Sequence, residues 1–195
     1  MSSTLHRRDV VGALLAQRGD TLVVAGLGST AWDCTAAGDS PLTFPLWGAM
    51  GTAAMVGLGL AIAQPARRVL VITGDGEMLM GLGSLATIGV QAPRNLAIAV
   101  IDNERYGETG MQATHTAHGV DLAAVAIGCR FASACIVREA KELDAARASL
   151  LSREGPTLVQ FKVIAEKLAL VLPPHDGVAL KERFRRALLG ATAAG

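Results

Sequence analysis

The sequence predicts an α/β fold: a doubly wound, mostly parallel sheet with helices on both faces, built as a single domain. Three observations predict it. Short apolar runs alternate with helical stretches along the chain. Two of those runs, at 69–73 and 96–101, are separated by a helical pattern over 78–91 and the turn Ala92-Pro93-Arg94-Asn95, which is the length of one β-α-β crossover. With 195 residues, 51% of them hydrophobic and 18% charged, the chain buries a substantial core and is not of disordered composition.

The elements follow in order. An opening helix over 6–18 leads to a strand at 21–25, whose end, Gly26-Leu27-Gly28-Ser29, is a tight glycine-rich turn; a polar loop then reaches Pro41 and Pro45. Residues 46–63 hold 18 positions without a charge, close to the minimum for a membrane span, and Arg67-Arg68 follows like a flank. Gly48, Gly51, Gly57 and Gly59 leave that stretch poor in large side chains, as befits a buried helix packed closely on a sheet. Strand 69–73, helix 78–91 and strand 96–101 form the central unit. A loop over 103–119 comes next, then a helix at 121–127, a short strand at 132–137, a helix at 140–152, a strand at 157–163 and a last helix over 178–189 carrying Arg183, Arg185 and Arg186. No repeat and no linker interrupts the chain, so residues 1–195 read as one domain.

Composition excludes several classes. The net charge is +1 and no Lys/Arg cluster is interleaved with aromatics, so nothing calls for nucleic acid. Cys34, Cys129 and Cys135 are odd in number and lack metal-type spacing, which reads as buried thiols in a reducing, cytoplasmic setting. The polar, charged stretch 1–9 has no apolar segment of the kind a secretory leader needs.

The chemistry concentrates where the central strands end. Gly74-Asp75-Gly76 closes one apolar run, and Asn103 closes the next after 26 intervening residues. In a right-handed β-α-β unit the two strands are parallel and often adjacent, roughly 4.8 Å apart, so Asp75 and Asn103 become two oxygen ligands of one Mg²⁺. Mg²⁺ is usually held by one or two protein groups plus phosphate oxygens and water, so a site this sparse implies a diphosphate ligand. Gly74 and Gly76 allow a tight turn that presents backbone N–H groups to phosphate oxygens, and the following helix adds its positive end. The bland alternative is a G-D-G turn that merely ends a strand.

G-D-G, a spacer of this length and a terminal Asn resemble the thiamine diphosphate motif of the thiamine-dependent decarboxylase superfamily. Trp47-Gly48-Ala49-Met50-Gly51 and Asn103-Glu104-Arg105-Tyr106-Gly107 resemble its flanking signatures. The stretch from Tyr106 through Gly107, Glu108, Thr109, Gly110, Met111, Gln112, Ala113, Thr114 and His115 to Thr116 is most similar to the small β subunits of sulfopyruvate and phosphonopyruvate decarboxylases. The resemblance spans about 22–170 and implies a thiamine diphosphate-binding fold. It implies cofactor-binding roles for Gly48, Met50, Gly51, Gly74, Asp75, Gly76, Glu77, Asn103, Arg105, Tyr106 and Gly107, with Asp75, Asn103 and the main-chain carbonyl of Arg105 on the metal. Met50, otherwise core filler, would wedge between the cofactor's two rings, and the Gly48 carbonyl would accept from its amino group. Glu108 and Thr109 fall where relatives place residues near the thiazolium. His115 and His118 stand as acid-base groups, as donors to an anionic substrate, or as plain solvated loop residues. Tyr106 is also readable as a packed lid over the metal loop.

The same resemblance implies non-oxidative decarboxylation of a 2-oxo acid, with the hard chemistry supplied by the cofactor. Family members activate it with a glutamate from a pyrimidine-binding domain, and this chain has no room for a second sheet of about 150 residues. A separate pyrimidine-binding α subunit is therefore expected. Self-association into at least a dimer is also expected from a chain this apolar, with a mean hydropathy of +0.39. The alternatives are a small subunit of a thiamine-dependent carboligase, part of a 2-oxo acid oxidoreductase, and a non-enzymatic nucleotide-binding module.

Overall fold

The structure, a computed structural model, describes residues 5–152 and 154–190. Residues 1–4 of the stretch weighed as a leader lie outside the described residues. Strands β1 (Leu22–Ala25), β2 (Thr43–Pro45), β3 (Val69–Gly74), β4 (Leu96–Asp102), β7 (Ser133–Val137) and β8 (Thr157–Lys162) form one sheet in the order β2-β1-β3-β4-β8-β7, every neighbouring pair parallel. Strands β5 (Arg105–Tyr106) and β6 (Gln112–Ala113) make a separate antiparallel hairpin.

Strand alternation divides the core in two. Val23, Ala25, Leu70, Ile72, Ala97, Ala99 and Phe161 face α1 (Arg7–Leu15), α2 (Ser29–Ala36) and α7 (Leu143–Ser152). Leu22, Val24, Val69, Val71, Leu96, Ile98 and Val100 face α3 (Ala53–Ala63), α4 (Asp75–Met80), α5 (Ser84–Gln91), α6 (Leu122–Gly128) and α8 (Gly177–Leu189). Because β3 and β4 are covered on both sides, their sequences are continuous apolar runs, each buried aliphatic side chain contributing roughly 1.5–3 kcal/mol. The doubly wound class is as the sequence predicts.

Four details differ from the sequence reading. The segment after Gly28 is a helix, α2, and residues 43–45 are an edge strand, where the sequence suggested a turn and a polar loop. Periodicity missed α2 because it buries a carboxylate: Asp33, 1% exposed, is held by Arg7 at 2.5 Å and Arg8 at 3.0 Å. The uncharged stretch 46–63 is a loop followed by the 11-residue α3, and among the described residues no helix is long and apolar enough to cross a membrane. The helix expected over 78–91 starts at Asp75 and breaks into α4 and α5 at Gly81, where a Cβ would lie 2.1 Å from the Gly51 carbonyl oxygen. The loop 103–119 holds the β5–β6 hairpin and a 3₁₀ turn, His115–His118.

The connections set the site. From β1 the chain steps outward to β2, then returns past β1 to β3, so the winding direction reverses between β1 and β3. A crevice opens at such a reversal beyond the carboxyl ends of the strands. There Gly26–Gly28 and Gly74–Gly76 face one another across the sheet edge.

Candidate functional site

A cavity of about 540 Å³ lies at these strand ends. Asp75 and Gly76 at the start of α4, Asn103 after β4, Met50 before α3 and the hairpin residues Arg105 to Thr109 line it. Register explains the meeting of Asp75 with Asn103: Gly74 pairs with Ile101 on the adjacent parallel strand, so both chains leave the sheet at one level. The segment after β8 crosses above, adding Glu166, Lys167, Leu168 and Leu170 to the wall. It is tied down by Ile164 N–H to the Leu5 carbonyl (2.8 Å), Arg8 to the Ala169 carbonyl (2.9 Å) and Trp47 Nε1 to the Pro174 carbonyl (2.8 Å).

Asp75 is 2% exposed. Its Oδ2 accepts from Thr114 Oγ1 at 2.6 Å and lies 3.3 Å from Thr116 Oγ1. Thr116 Oγ1 also donates to Oδ1 of Asp102 at 2.8 Å, so one hydroxyl stands between two buried carboxylates. Burial, reinforced by Asp102, pushes the Asp75 carboxyl up to about 7 against the opposing hydrogen bonds from Thr114, its own amide and Thr116. Asp102 has its own supports: Gln160 Nε2 donates to it at 2.5 Å, and the Lys162 ammonium lies 2.8 Å away while also reaching Glu104 at 2.6 Å. Burial lowers the Lys162 pKa, but Asp102 and Glu104 outweigh it and the net direction is upward. Gln160 Oε1 accepts from the amides of Leu122 and Ala123, fixing the start of α6 to the same network.

Asn103 Oδ1 accepts from the Arg105 amide at 2.9 Å, with Glu104 between them in the left-handed region (φ 61°). This turn fixes the carboxamide and starts the hairpin. Tyr106 folds back onto α4: a Cβ on Gly76 would meet its ring carbons at 2.7 Å and the Met50 methyl at 3.6 Å. The second glycine of G-D-G is thus required by the tyrosine ring packed on it, a reason distinct from the phosphate approach the sequence suggested. Met50 sits between Ala49 (φ 57°) and Gly51 (φ 94°), two left-handed residues that form its loop. Glu108 reaches from the hairpin to the β1 side, where a Cβ on Gly28 would meet its Oε1 at 2.8 Å.

Of the residues nominated from sequence, Met50, Gly74, Asp75, Gly76, Glu77, Asn103, Arg105, Tyr106, Gly107, Glu108 and Thr109 line this one cavity. Gly48, Gly51 and His115 are not among its lining residues. Gly48 is exposed, and Gly51 packs on Met80 and Gly81. His115 and His118 are exposed on the 3₁₀ turn, while Thr114 and Thr116 beside them are buried. Glu77 has an evident second role: its Oε2 accepts from Thr73 Oγ1 at 2.8 Å, and the amides of Gly51, Leu27 and Ala53 surround its carboxylate. Burial nevertheless raises its pKa, and Oε1 closes no hydrogen bond. Glu77 thereby joins the loops after β1 and before α3 to the end of β3.

Sequence reasoning missed Asp102, Thr114, Thr116, Gln160 and Lys162. Gln160 and Lys162 had a readable signal, since polar residues at alternate positions in a buried strand imply polar partners at its end. Among the described residues no three His, Cys, Asp or Glu side chains cluster as a metal site. A cation here would depend on Asp75, a carboxamide and backbone oxygen.

Residues 28–161 match the family model for the thiamine pyrophosphate enzyme C-terminal TPP binding domain. The chain is 36% identical over 188 residues to the sulfopyruvate decarboxylase subunit beta of Methanothermobacter thermautotrophicus, covering 96% of this chain and 98% of that one. It is 42% identical over 167 residues to the phosphonopyruvate decarboxylase of Streptomyces viridochromogenes, covering 85% of this chain but 42% of that longer protein. Among solved structures, a Mycobacterium smegmatis protein described as a thiamin diphosphate-dependent enzyme matches with a TM-score of 0.69 at 20% identity, over 85% of this chain and 33% of that one, a likeness of fold.

Proposed function

The chain belongs to the thiamine pyrophosphate enzyme family through its C-terminal TPP binding domain, and we propose from that premise that it is the thiamine diphosphate- and Mg²⁺-binding subunit of a two-subunit 2-oxo acid decarboxylase. The observation that carries this reading is Asp75: a carboxyl buried at a strand end, raised to about 7 by desolvation and a second carboxylate, and lining one cavity with Asn103. A divalent cation supplies the positive charge such a group lacks, so the donor set fits Mg²⁺ held by Asp75, Asn103 and the Arg105 carbonyl, with diphosphate oxygens completing the shell. When bound, thiamine diphosphate supplies the carbanion and electron sink that decarboxylation of a 2-oxo acid requires.

The chain's own residues do the rest. Asp75 and Asn103 would anchor the cation at the ends of paired strands, beside the Tyr106 ring packed on Gly76. Met50, which lines the same cavity, would offer an apolar side chain to the bound cofactor's rings. Glu108 and Thr109 line the cavity from the hairpin, and the Glu108 carboxylate would be the group available there to hold or move a proton. Arg105 and Lys167 line the same cavity as cations beside the carboxylates Asp75, Glu77, Glu108 and Glu166, and we assign the two cations to a second anionic group of the 2-oxo acid, such as a sulfonate or phosphonate. His115, being exposed and outside the lining, takes no part in this scheme.

A partner completes the enzyme. The chain spans nearly all of a relative named as a beta subunit and less than half of a single-chain relative, which supports an α subunit that carries the pyrimidine-binding domain and its activating glutamate. Self-association through exposed apolar positions on α3, α5 and α6, such as Met55, Ile62, Val90 and Ile127, belongs to the same reading, as does a reducing cytoplasmic setting for the cysteines. Of these, Cys34 is buried but Cys129 is half-buried and Cys135 exposed, against the expectation of three buried thiols. The test is CO₂ release from 2-oxo acids by the chain alone and with the product of a neighbouring reading frame. Turnover only with the partner, and only with Mg²⁺ and thiamine diphosphate, is expected. Robust turnover by the isolated chain refutes the split site.

A further inference from the structure

The segment 112–119 contributes nothing to the cavity wall, yet its two buried hydroxyls reach the cation end of the site. Thr114 is 0% and Thr116 4% exposed, with His115 turned outward between them. Thr114 is extended (φ −83°, ψ 172°) and caps the 3₁₀ turn that starts at His115; across that change of backbone Thr114 and Thr116 are buried while His115 is exposed. The Thr114 amide donates to the Glu104 carbonyl at 3.0 Å, which holds the returning strand of the hairpin against its start.

The hydroxyls meet the carboxylate asymmetrically. Thr114 donates to Oδ2 of Asp75 at 2.6 Å, while Thr116, whose proton goes to Asp102, stands 3.3 Å from that oxygen and 2.9 Å from Thr114 Oγ1. Neither reaches Oδ1. Thr116 is itself anchored by Asp102, which Gln160 and Lys162 hold from β8. The rotation of the Asp75 carboxylate is therefore set by a hydrogen-bonded chain that starts on β8 and passes through the hairpin segment. A carboxylate left to rotate would present either oxygen, at a cost in orientation that binding would have to supply.

We propose that Thr114 and Thr116 are positioning residues of the divalent-cation site: Thr114 occupies Oδ2 of Asp75 so that Oδ1 is the oxygen presented to the cation, and Thr116 ties Thr114 to Asp102. The assignment rests on the cation-binding reading of Asp75 given above. It moves the role of this segment from its histidines to its threonines, and it makes the hairpin that carries Arg105 to Thr109 part of the cation site's support.

The test uses the full-length chain with thiamine diphosphate and Mn²⁺ as a paramagnetic probe, free Mn²⁺ being read by electron paramagnetic resonance. Thr114→Val, which keeps the shape and removes the hydroxyl, is expected to weaken Mn²⁺ binding by about ten-fold or more. Thr116→Val is expected to weaken it less, in keeping with its longer contact. Thr114→Ser and Thr116→Ser are expected to restore affinity, which a purely packing role for the methyl would not predict. Circular dichroism and gel filtration show which variants are folded, and a Thr114→Val that does not fold leaves the Thr116→Val and Thr116→Ser pair to decide. Folded valine variants that bind Mn²⁺ as the unaltered chain does overturn the positioning role and leave the cation reading standing. An unaltered chain that binds no Mn²⁺ with thiamine diphosphate, alone and with its partner, overturns both.

Discussion

Replacing Asp75 by Asn should stabilise the chain while destroying its proposed function. The carboxyl is 2% exposed and its pKa is pushed from an ordinary 3.8 to about 7, first by burial and then by Asp102. Between those two values the folded chain holds a proton that the unfolded chain has released. The slope of unfolding free energy with pH is then negative, and stability falls as pH rises from about 4 to about 7 and levels off above. At about 1.4 kcal/mol per pH unit the whole span is about 4 kcal/mol, an upper bound because the carboxylate gains hydration by local relaxation. Asn carries no charge, and its amide oxygen accepts the Thr114 hydroxyl as Oδ2 does. Without cation or cofactor at pH 8, Asp75→Asn is therefore expected to be more stable by roughly 2–4 kcal/mol, or about 5–15 °C in melting temperature for a domain of this size. The gain should shrink to about 1–2 kcal/mol at pH 5. The assay is thermal and urea unfolding of both proteins in chelator across pH 5–8, repeated with Mg²⁺ and thiamine diphosphate, where only the native residue gains and the order inverts. An Asn variant no more stable than its parent at pH 8 in chelator would show that no uncompensated charge is buried at Asp75.

Three further outcomes test neighbouring parts of the site. Gly76→Ala puts a methyl 2.7 Å from the Tyr106 ring carbons, so the ring must move, at roughly 1–3 kcal/mol, and calorimetry should show weaker Mg²⁺-dependent thiamine diphosphate binding; unchanged affinity would mean the ring does not guard the site. Lys162→Met leaves the wholly buried Asp102 carboxylate without its cation and should cost about 3–5 kcal/mol in urea unfolding, whereas a loss below about 1 kcal/mol would mean Gln160 and Thr116 suffice. His115→Ala alters only an exposed side chain outside the cavity, so stability should change by no more than about 0.5 kcal/mol and turnover of the assembled enzyme should stay near the parent's; a large loss would place that imidazole in the chemistry after all.

Much of this protein was legible in its residue order, for identifiable reasons. Runs such as Leu70-Val71-Ile72 and Ile98-Ala99-Val100 are apolar on both faces because both faces are covered, so they announce a parallel sheet without further information. The pairing of Asp75 with Asn103 was likewise visible, because a single crossover of this length fixes the adjacency and level of the two strand ends. Illegible parts share one property: each depends on partners far away in sequence. Helix α2 buries Asp33 on its inner side, and the Arg7 and Arg8 that pair with it come from another element. The break at Gly81 exists because the Gly51 carbonyl occupies the space a Cβ would need.

The layered fold and the adjacency of the strand ends carrying Asp75 and Asn103 thus followed from local periodicity and short-range spacing, and the family from the resemblance of short motifs. Only the tertiary structure decided which side chains of the segment 112–119 face the site, that Gly76 makes room for Tyr106, and that Asp75 is tied through Thr116 to Asp102 and β8. Those outcomes turn on contacts between residues separated by 14 to 58 positions, and no local pattern encodes which of two neighbouring side chains a distant carboxylate will select.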